Sequence, residues 1–400
     1  MSEQIVSRLE QASVWRATVS GFCASFVGIG LARFVYTPLI PAQIAAGWFT
    51  PSQSGYLGAA NLLGYLIGAV LARRMSSLWN PVAVVRAMMA LAAASFFLSS
   101  YPVSFPLYFA ARFLAGYGGG AVMVLAAPLI LAHIDATRRG IVSGAIFTGV
   151  GLGIAASGTL TTTLLQHGLT ATWQAFGVIA AVFTVLGWSG WPRGEKVSVR
   201  SAVNPSSRES EAGLGWLYAE YGLCAVGLVP HMVFLVDFVS RGLGEGIDAG
   251  ARIWIVAGIG AVCGPIVFGR IADYMGFRLA LRSIVLLETL SLAAIAAAPS
   301  DAVVVMSAAL VGAFVPGCVP LALGRMHDVV KAQLRRQKAW ATCSIVFSLG
   351  MAISGYGYSY LFAVFGSHSM LFAFGAGAMF AALICDFLLE RYQVHTGVES

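Results

Sequence analysis

Charge is what this sequence has least of: 24 Lys and Arg with 17 Asp and Glu in 400 residues, 10% in all, against 58% hydrophobic residues. Soluble domains are roughly a quarter charged. A mean hydropathy of +0.81 therefore excludes a soluble globular chain and reads as an integral membrane protein. The six Cys, at 23, 224, 263, 318, 343 and 385, form no CxxC pair and do not cluster with His. That sets aside a disulfide framework and a metal site and leaves small packing residues. HExxH, GxSxG and the phosphate-binding glycine loop are all missing, so neither an enzyme nor a cofactor is expected. Residues 1–13 lack a basic start, an apolar core and a small-residue cleavage site, so no cleaved secretory signal is expected; they read as a tail or a short interfacial helix.

No Asp, Glu, Lys or Arg occurs from Gly140 to Pro192 or from Ala339 to Cys385. One crossing of the hydrocarbon core takes about 20 helical residues, so each run must cross twice. Hydropathy and turn residues divide the chain into twelve apolar segments: 17–40, 52–72, 83–99, 106–131, 140–163, 171–190, 214–239, 250–272, 283–298, 302–324, 339–363 and 369–389. The 46 Gly sit largely inside them. Gly weakens a helix in water, but in lipid small residues let helix backbones approach closely.

If both termini lie in the cytoplasm, the even-numbered loops and the tails hold every basic residue except Arg33, Arg112, Arg241 and Arg252. This is the positive-inside pattern. The net charge of +7 then reflects topology and anionic headgroups, and no nucleic-acid partner is expected. A polar stretch at 191–213 falls near the middle of the chain. The expected organisation is a cytoplasmic tail at 1–13, a six-helix bundle at 14–190, a cytoplasmic linker at 191–213, a second bundle at 214–391 and a tail at 392–400. The two bundles look related. Ala-Pro-Leu-Ile-Leu-Ala-His-Ile-Asp, ending at Asp135, resembles Val-Pro-Leu-Ala-Leu-Gly-Arg-Met-His-Asp, ending at Asp328. Each closes the fourth segment of its half, as in transporters built from repeats.

Gly269-Arg-Ile-Ala-Asp273-Tyr-Met-Gly276-Phe-Arg278 follows segment 8 and is similar to the GxxxDxxGxR loop of the major facilitator superfamily. Gly269 would permit close helix contact, Gly276 a tight turn, and Asp273 pairing with loop arginines or a helix cap. Such a loop can latch the cytoplasmic side. The first half, at Gly68 to Arg74, lacks the Asp. Arg112-Phe-Leu-Ala-Gly116 resembles the superfamily's RxxxG motif, with Ala115 where Gln is common. Gly28-Ile-Gly-Leu-Ala-Arg33-Phe-Val-Tyr36-Thr-Pro38-Leu-Ile-Pro41 resembles the opening helix of the YbfB/YjiJ-like branch. The resemblance implies an all-α integral membrane protein of twelve transmembrane helices in two pseudo-symmetric six-helix halves. It also implies solute transport by alternating access.

Arg33 and Arg112 fall within apolar segments, where a cation costs at least about 2.5 to 3.5 kcal/mol unless paired or hydrated. They are expected to bind an anionic substrate such as a carboxylate, with Tyr36 and Asn61 adding neutral hydrogen bonds. Snorkelling or structural ion pairing are the bland alternatives. Asp237 is the candidate gate partner of Arg33, and His231 a second proton carrier. Glu220 is expected to face headgroups, and Glu288 and Asp386 to pair structurally. The expected protein is a monomeric, proton-coupled transporter of the bacterial inner membrane; efflux of lipophilic or cationic compounds, or solute sensing without transport, are the alternatives.

Overall fold

The computed structural model describes residues 2–135, 138–192, 211–330 and 333–395. Within these residues there is no strand. The helices are α1 (Ser2–Ser25), α2 (Ala32–Phe34), α3 (Tyr36–Ala45), α4 (Pro51–Leu78), α5 (Pro81–Leu98), α6 (Phe105–Leu131), α7 (Arg139–Leu164) and α8 (Leu169–Leu186). They are followed by α9 (Glu211–Val229), α10 (Leu235–Asp237), α11 (Ile247–Ala297), α12 (Asp301–Val329), α13 (Gln333–Phe365) and α14 (His368–His395). Because α1 begins at Ser2, the stretch read as a tail or interfacial helix is helical. Most of the expected linker lies outside the described residues.

Local chemistry sets several helix starts. Asn80 caps α5, its side-chain oxygen accepting from Val82 N at 2.9 Å and Ala83 N at 3.3 Å, with Pro81 in the first turn. The Ser300 hydroxyl accepts from Val303 N at 3.5 Å at the start of α12. The first and seventh segments are not plain α-helices. The first winds through a π-helical turn at Phe26–Leu31, α2 and a bend at Val35 into α3, which carries Pro38 and Pro41. The seventh continues α9 through π-helical turns at Pro230–Phe234 and Phe238–Gly242 on either side of α10. Missing proline N–H groups and widened turns re-aim side chains and are frequent at functional sites.

Eleven helical stretches among the described residues are long and apolar enough to cross a membrane. One of them, α11, has 51 residues, about 76 Å at helical rise against a core of roughly 30 Å. It breaks at Gly276, where φ is 80° and ψ is 160°, a left-handed backbone that favours glycine. The two arms account for the eighth and ninth segments, making twelve crossings. Lipid-facing stripes follow the helical repeat, as at Val178, Val182, Val185 and Leu186 on α8, all exposed.

The contacts divide the chain into two compact units, Met1–Thr50 with Ala60–Val199 and Pro51–Ala59 with Arg200–Ser400. In the first, α5 packs on α6 and α8, and α7 packs on α1 and the first π-helical turn. In the second, α11 packs on α12 and α14, and α9 on α13 and α14. Glycine sets one helix pair in each unit. A Cβ on Gly64, Gly68 or Gly116 would meet the backbone of Phe113, Tyr117 or Asn61 between α4 and α6. A Cβ on Gly260, Gly264 or Gly312 would meet that of Ala309, Ala313 or Ala257 between α11 and α12. The interval from Gly64 to Gly260 is also that from Gly68 to Gly264 and from Gly116 to Gly312.

Candidate functional site

In the first unit α6 places Arg112 deep in the bundle, 1% exposed. No carboxylate pairs with it among the described residues. Its Nη2 donates to the Ala32 carbonyl at 3.3 Å, and its Nε has no hydrogen-bond partner. The guanidinium carbon lies 4.6 Å from the Tyr36 ring centroid and 5.8 Å from that of Trp173. Such cation–π contacts contribute about 0.5 to 2 kcal/mol each, less than the several kcal/mol that burying an ion costs.

Asn61 closes the same cluster. Its Nδ2 donates at 3.2 Å to the Ala32 carbonyl and at 3.2 Å to the Arg112 carbonyl. Both neighbours are acceptors, which orients the amide and leaves Oδ1 without a donor. Trp173 Nε1 is likewise buried without an acceptor. Tyr108 stands edge-on to Trp173 at 6.3 Å, and Gln43 Nε2 donates to its hydroxyl at 2.5 Å. The arrangement holds two unused donors, Arg112 Nε and Trp173 Nε1, and one unused acceptor, Asn61 Oδ1. Tyr36, Asn61 and Arg112, singled out from the sequence, converge here. Arg33 does not share their ring: it packs 5.0 Å from Tyr65 and 5.4 Å from Phe34. Trp173 and Tyr108 escaped sequence reasoning, because an aromatic in an apolar helix carries no mark that separates core from lipid contact.

In the second unit the buried His231 has two partners. Its Nδ1 lies 3.0 Å from Glu288 Oε1 and its Nε2 2.6 Å from Ser307 Oγ, which accepts from Ser291 Oγ at 2.8 Å. Glu288, expected to pair structurally, has His231 as its partner. Asp237, expected to pair with Arg33, has its carboxylate engaged inside its own unit. Arg241 Nε and Nη2 each donate to it at 2.5 Å, and His368 Nε2 lies 2.8 Å away. The i,i+4 spacing of Asp237 and Arg241 makes that local pair easy to form.

Two expectations are corrected. Glu220 does not face headgroups; it is 2% exposed, and its Oε2 has no hydrogen-bond partner. Arg325, placed in a loop from the sequence, is buried and lies 3.7 Å from Asp386 and 3.4 Å from Gln393 Oε1. Arg282 donates to Asp386 at 2.5 Å and to Glu390 at 2.6 Å, and Arg278 lies 3.3 Å from Glu390. Asp386→Asn leaves Arg325 with a neutral partner in a buried position, which costs about 3 to 5 kcal/mol. Denaturant unfolding in detergent should register that loss, while Glu390→Gln, at the half-exposed end of the cluster, should cost far less.

Of the loop motif, Gly276 makes the expected turn and Arg278 joins the ion pairs. Asp273 is exposed and has no hydrogen bond or ion pair among the described residues. Gly269 does not serve helix contact: a Cβ there would meet nothing within 4 Å.

Comparison with known proteins agrees with this architecture. The family model described as "Uncharacterised MFS-type transporter YbfB" matches residues 25–386. The chain belongs to the major facilitator superfamily. Among solved members of the fold, the nucleoside transporter NupG superposes with a TM-score of 0.75 at 10% identity, covering 93% of this chain and 99% of that one. A D-xylose-proton symporter superposes at 0.69 and 16% identity, covering 93% and 96%. Identities this low speak to fold alone. No curated protein matches the chain. This facilitator is a membrane transporter and not an enzyme.

Proposed function

We propose that this facilitator moves a small organic anion, a carboxylate, across the inner membrane by alternating access, with the proton as coupling ion. The observation that carries the reading is Arg112, a buried guanidinium with aromatic faces around it and no acid paired with it among the described residues. A buried cation of this kind is costly unless another charge reaches it. A substrate carboxylate would supply that charge and use the donors left open on Arg112 and Trp173. Tyr36 and Asn61 complete the binding site, and Arg33, over Tyr65, adds positive potential along the first segment. Arg112 is enclosed in this state, so the substrate enters when the bundle opens, as alternating access requires.

Among the described residues the buried carboxylates and the buried histidine, His231 and Asp237 among them, lie in the second half, which supports proton coupling. The distribution of Arg and Lys supports cytoplasmic termini, with the Gly269–Arg278 loop, Asp273 and Gly276 included, on the cytoplasmic side as a latch. The protein acts as a monomer with small-molecule, proton and lipid partners. A thermal-shift screen of the detergent-purified protein tests the substrate class. Short-chain mono- and dicarboxylates should raise the melting temperature, because a ligand at 100 times its Kd adds about 2.7 kcal/mol to the native state. Stabilisation by lipophilic cations alone would instead assign the protein to efflux.

A further inference from the structure

Three buried acidic stations lie along one helical segment of the second unit, and the fold brings a second titratable group to each. At the end nearest the linker, Glu220 is buried on α9, which packs on α14, within electrostatic reach of Asp386, Arg325 and Arg282. Eleven residues further, three α-turns on the same face and about 16 Å along the axis, His231 meets Glu288. Past the π-helical turn, Asp237 meets His368 and Arg241. Glu220 and Glu288 each keep Oε2 buried with no donor. A carboxylate oxygen sealed from water without a donor is costly as an anion, and protonation of the carboxyl group exchanges a buried charge for a less costly neutral group. Between the first two stations Cys224, on the same face, is bracketed by both glutamates.

We propose that the second unit is a proton-carrying half in which Glu220 and Glu288 are proton-binding residues. This deepens, and rests on, the proton-coupled reading above. The middle station has the connectivity a transfer needs. With Nδ1–H donating to Glu288, Nε2 accepts from the Ser307 hydroxyl, which accepts from Ser291. A proton arriving on Nε2 turns that acceptor into a donor. Imidazolium beside Glu288 can then hand its Nδ1 proton to the carboxylate, so that one proton enters and one moves on. The titratable and charged groups bearing on each station are Arg241 and His368 at Asp237; His231, Cys224 and Cys318 at Glu288; and Asp386, Arg325, Arg282, Cys224, Cys343 and Cys385 at Glu220.

The test needs no substrate. Infrared pH-difference spectra of the full-length protein in liposomes report the C=O stretch of each carboxylic acid as it gains its proton. The wild type should show at least two bands that shift in heavy water and titrate. Glu220→Gln should delete one and Glu288→Gln the other, while Glu220→Asp and Glu288→Asp each retain a displaced band. His231→Gln should change the titration of the Glu288 band without removing it. Bands unchanged in both Gln variants, with melting temperatures near wild type, would overturn the proposal, because neither glutamate would then gain or lose a proton. If the bands behave as expected but an imposed pH gradient drives no uptake of a stabilising carboxylate, the coupling reading fails and the proton sites stand.

Discussion

Arg112→Ala should abolish saturable uptake of the stabilising carboxylate by proteoliposomes, with a loss of at least about a hundredfold in apparent affinity. Two charge-assisted hydrogen bonds contribute roughly 3 kcal/mol or more, and each 1.4 kcal/mol is a factor of ten. Arg112→Lys should not restore it. The guanidinium stands 4.6 Å from the Tyr36 ring and donates to the Ala32 carbonyl, a stacked and forked geometry that a compact ammonium on a flexible stem does not reproduce. The ligand-free melting temperature separates this from misfolding. Removing a buried cation that lacks an acid partner leaves no orphaned counter-charge, so the apo protein should melt close to wild type while ligand stabilisation disappears. Undiminished uptake in both variants would reduce Arg112 to a structural cation stacked between rings.

Gly116→Ala should destabilise the first unit severely although alanine is the better helix former. Its Cβ would fall against the backbone carbonyl of Asn61 and within 3.0 Å of Tyr65 N. These are backbone atoms, so neither can rotate away and α4 must move off α6. Overpacking of this kind costs about 1 to 3 kcal/mol, occasionally more, or roughly 10 °C in a domain of this size at the upper end. The same shift displaces Asn61 from the carbonyls of Ala32 and Arg112, so ligand stabilisation should fall with it. Gly312→Ala should act alike in the second unit through Ala257. Gly357→Ala on α13 is the matched control: its Cβ would meet nothing within 4 Å, so the substitution should be neutral or add up to about 1 kcal/mol. A melting temperature unchanged by Gly116→Ala would refute the backbone contact.

The matching glycine intervals between α4–α6 and α11–α12 explain why the two halves resemble each other where their sequences otherwise diverge. Side chains facing lipid are exchangeable among apolar residues, whereas a position against a neighbouring backbone admits almost nothing larger than hydrogen. The repeat therefore survives in the glycines, with Gly264 answering Gly68, while the surrounding residues drift. The Ala127-to-Asp135 and Val319-to-Asp328 segments carry only a weaker trace of it.

What this sequence determines by itself is whatever follows from counting and spacing. Scarcity of charge, runs such as Gly140 to Pro192 and the placement of Arg and Lys dictate a membrane protein of twelve apolar helices, because hydrocarbon excludes charge and has a fixed thickness. The break at Gly276 is legible for the same reason, since a 51-residue helix cannot remain in a bilayer. Arg112, Tyr36 and Asn61 stand out as polar groups at depth. Which groups meet is a matter for the tertiary structure alone. Asp237 belongs to Arg241 and His368, Glu288 to His231, and Trp173 to Arg112, through contacts between residues up to 131 positions apart. Desolvation marks a buried ion as costly wherever it lies in the sequence, but its partner is chosen by helix packing, and a packing contact leaves no periodic trace in the chain.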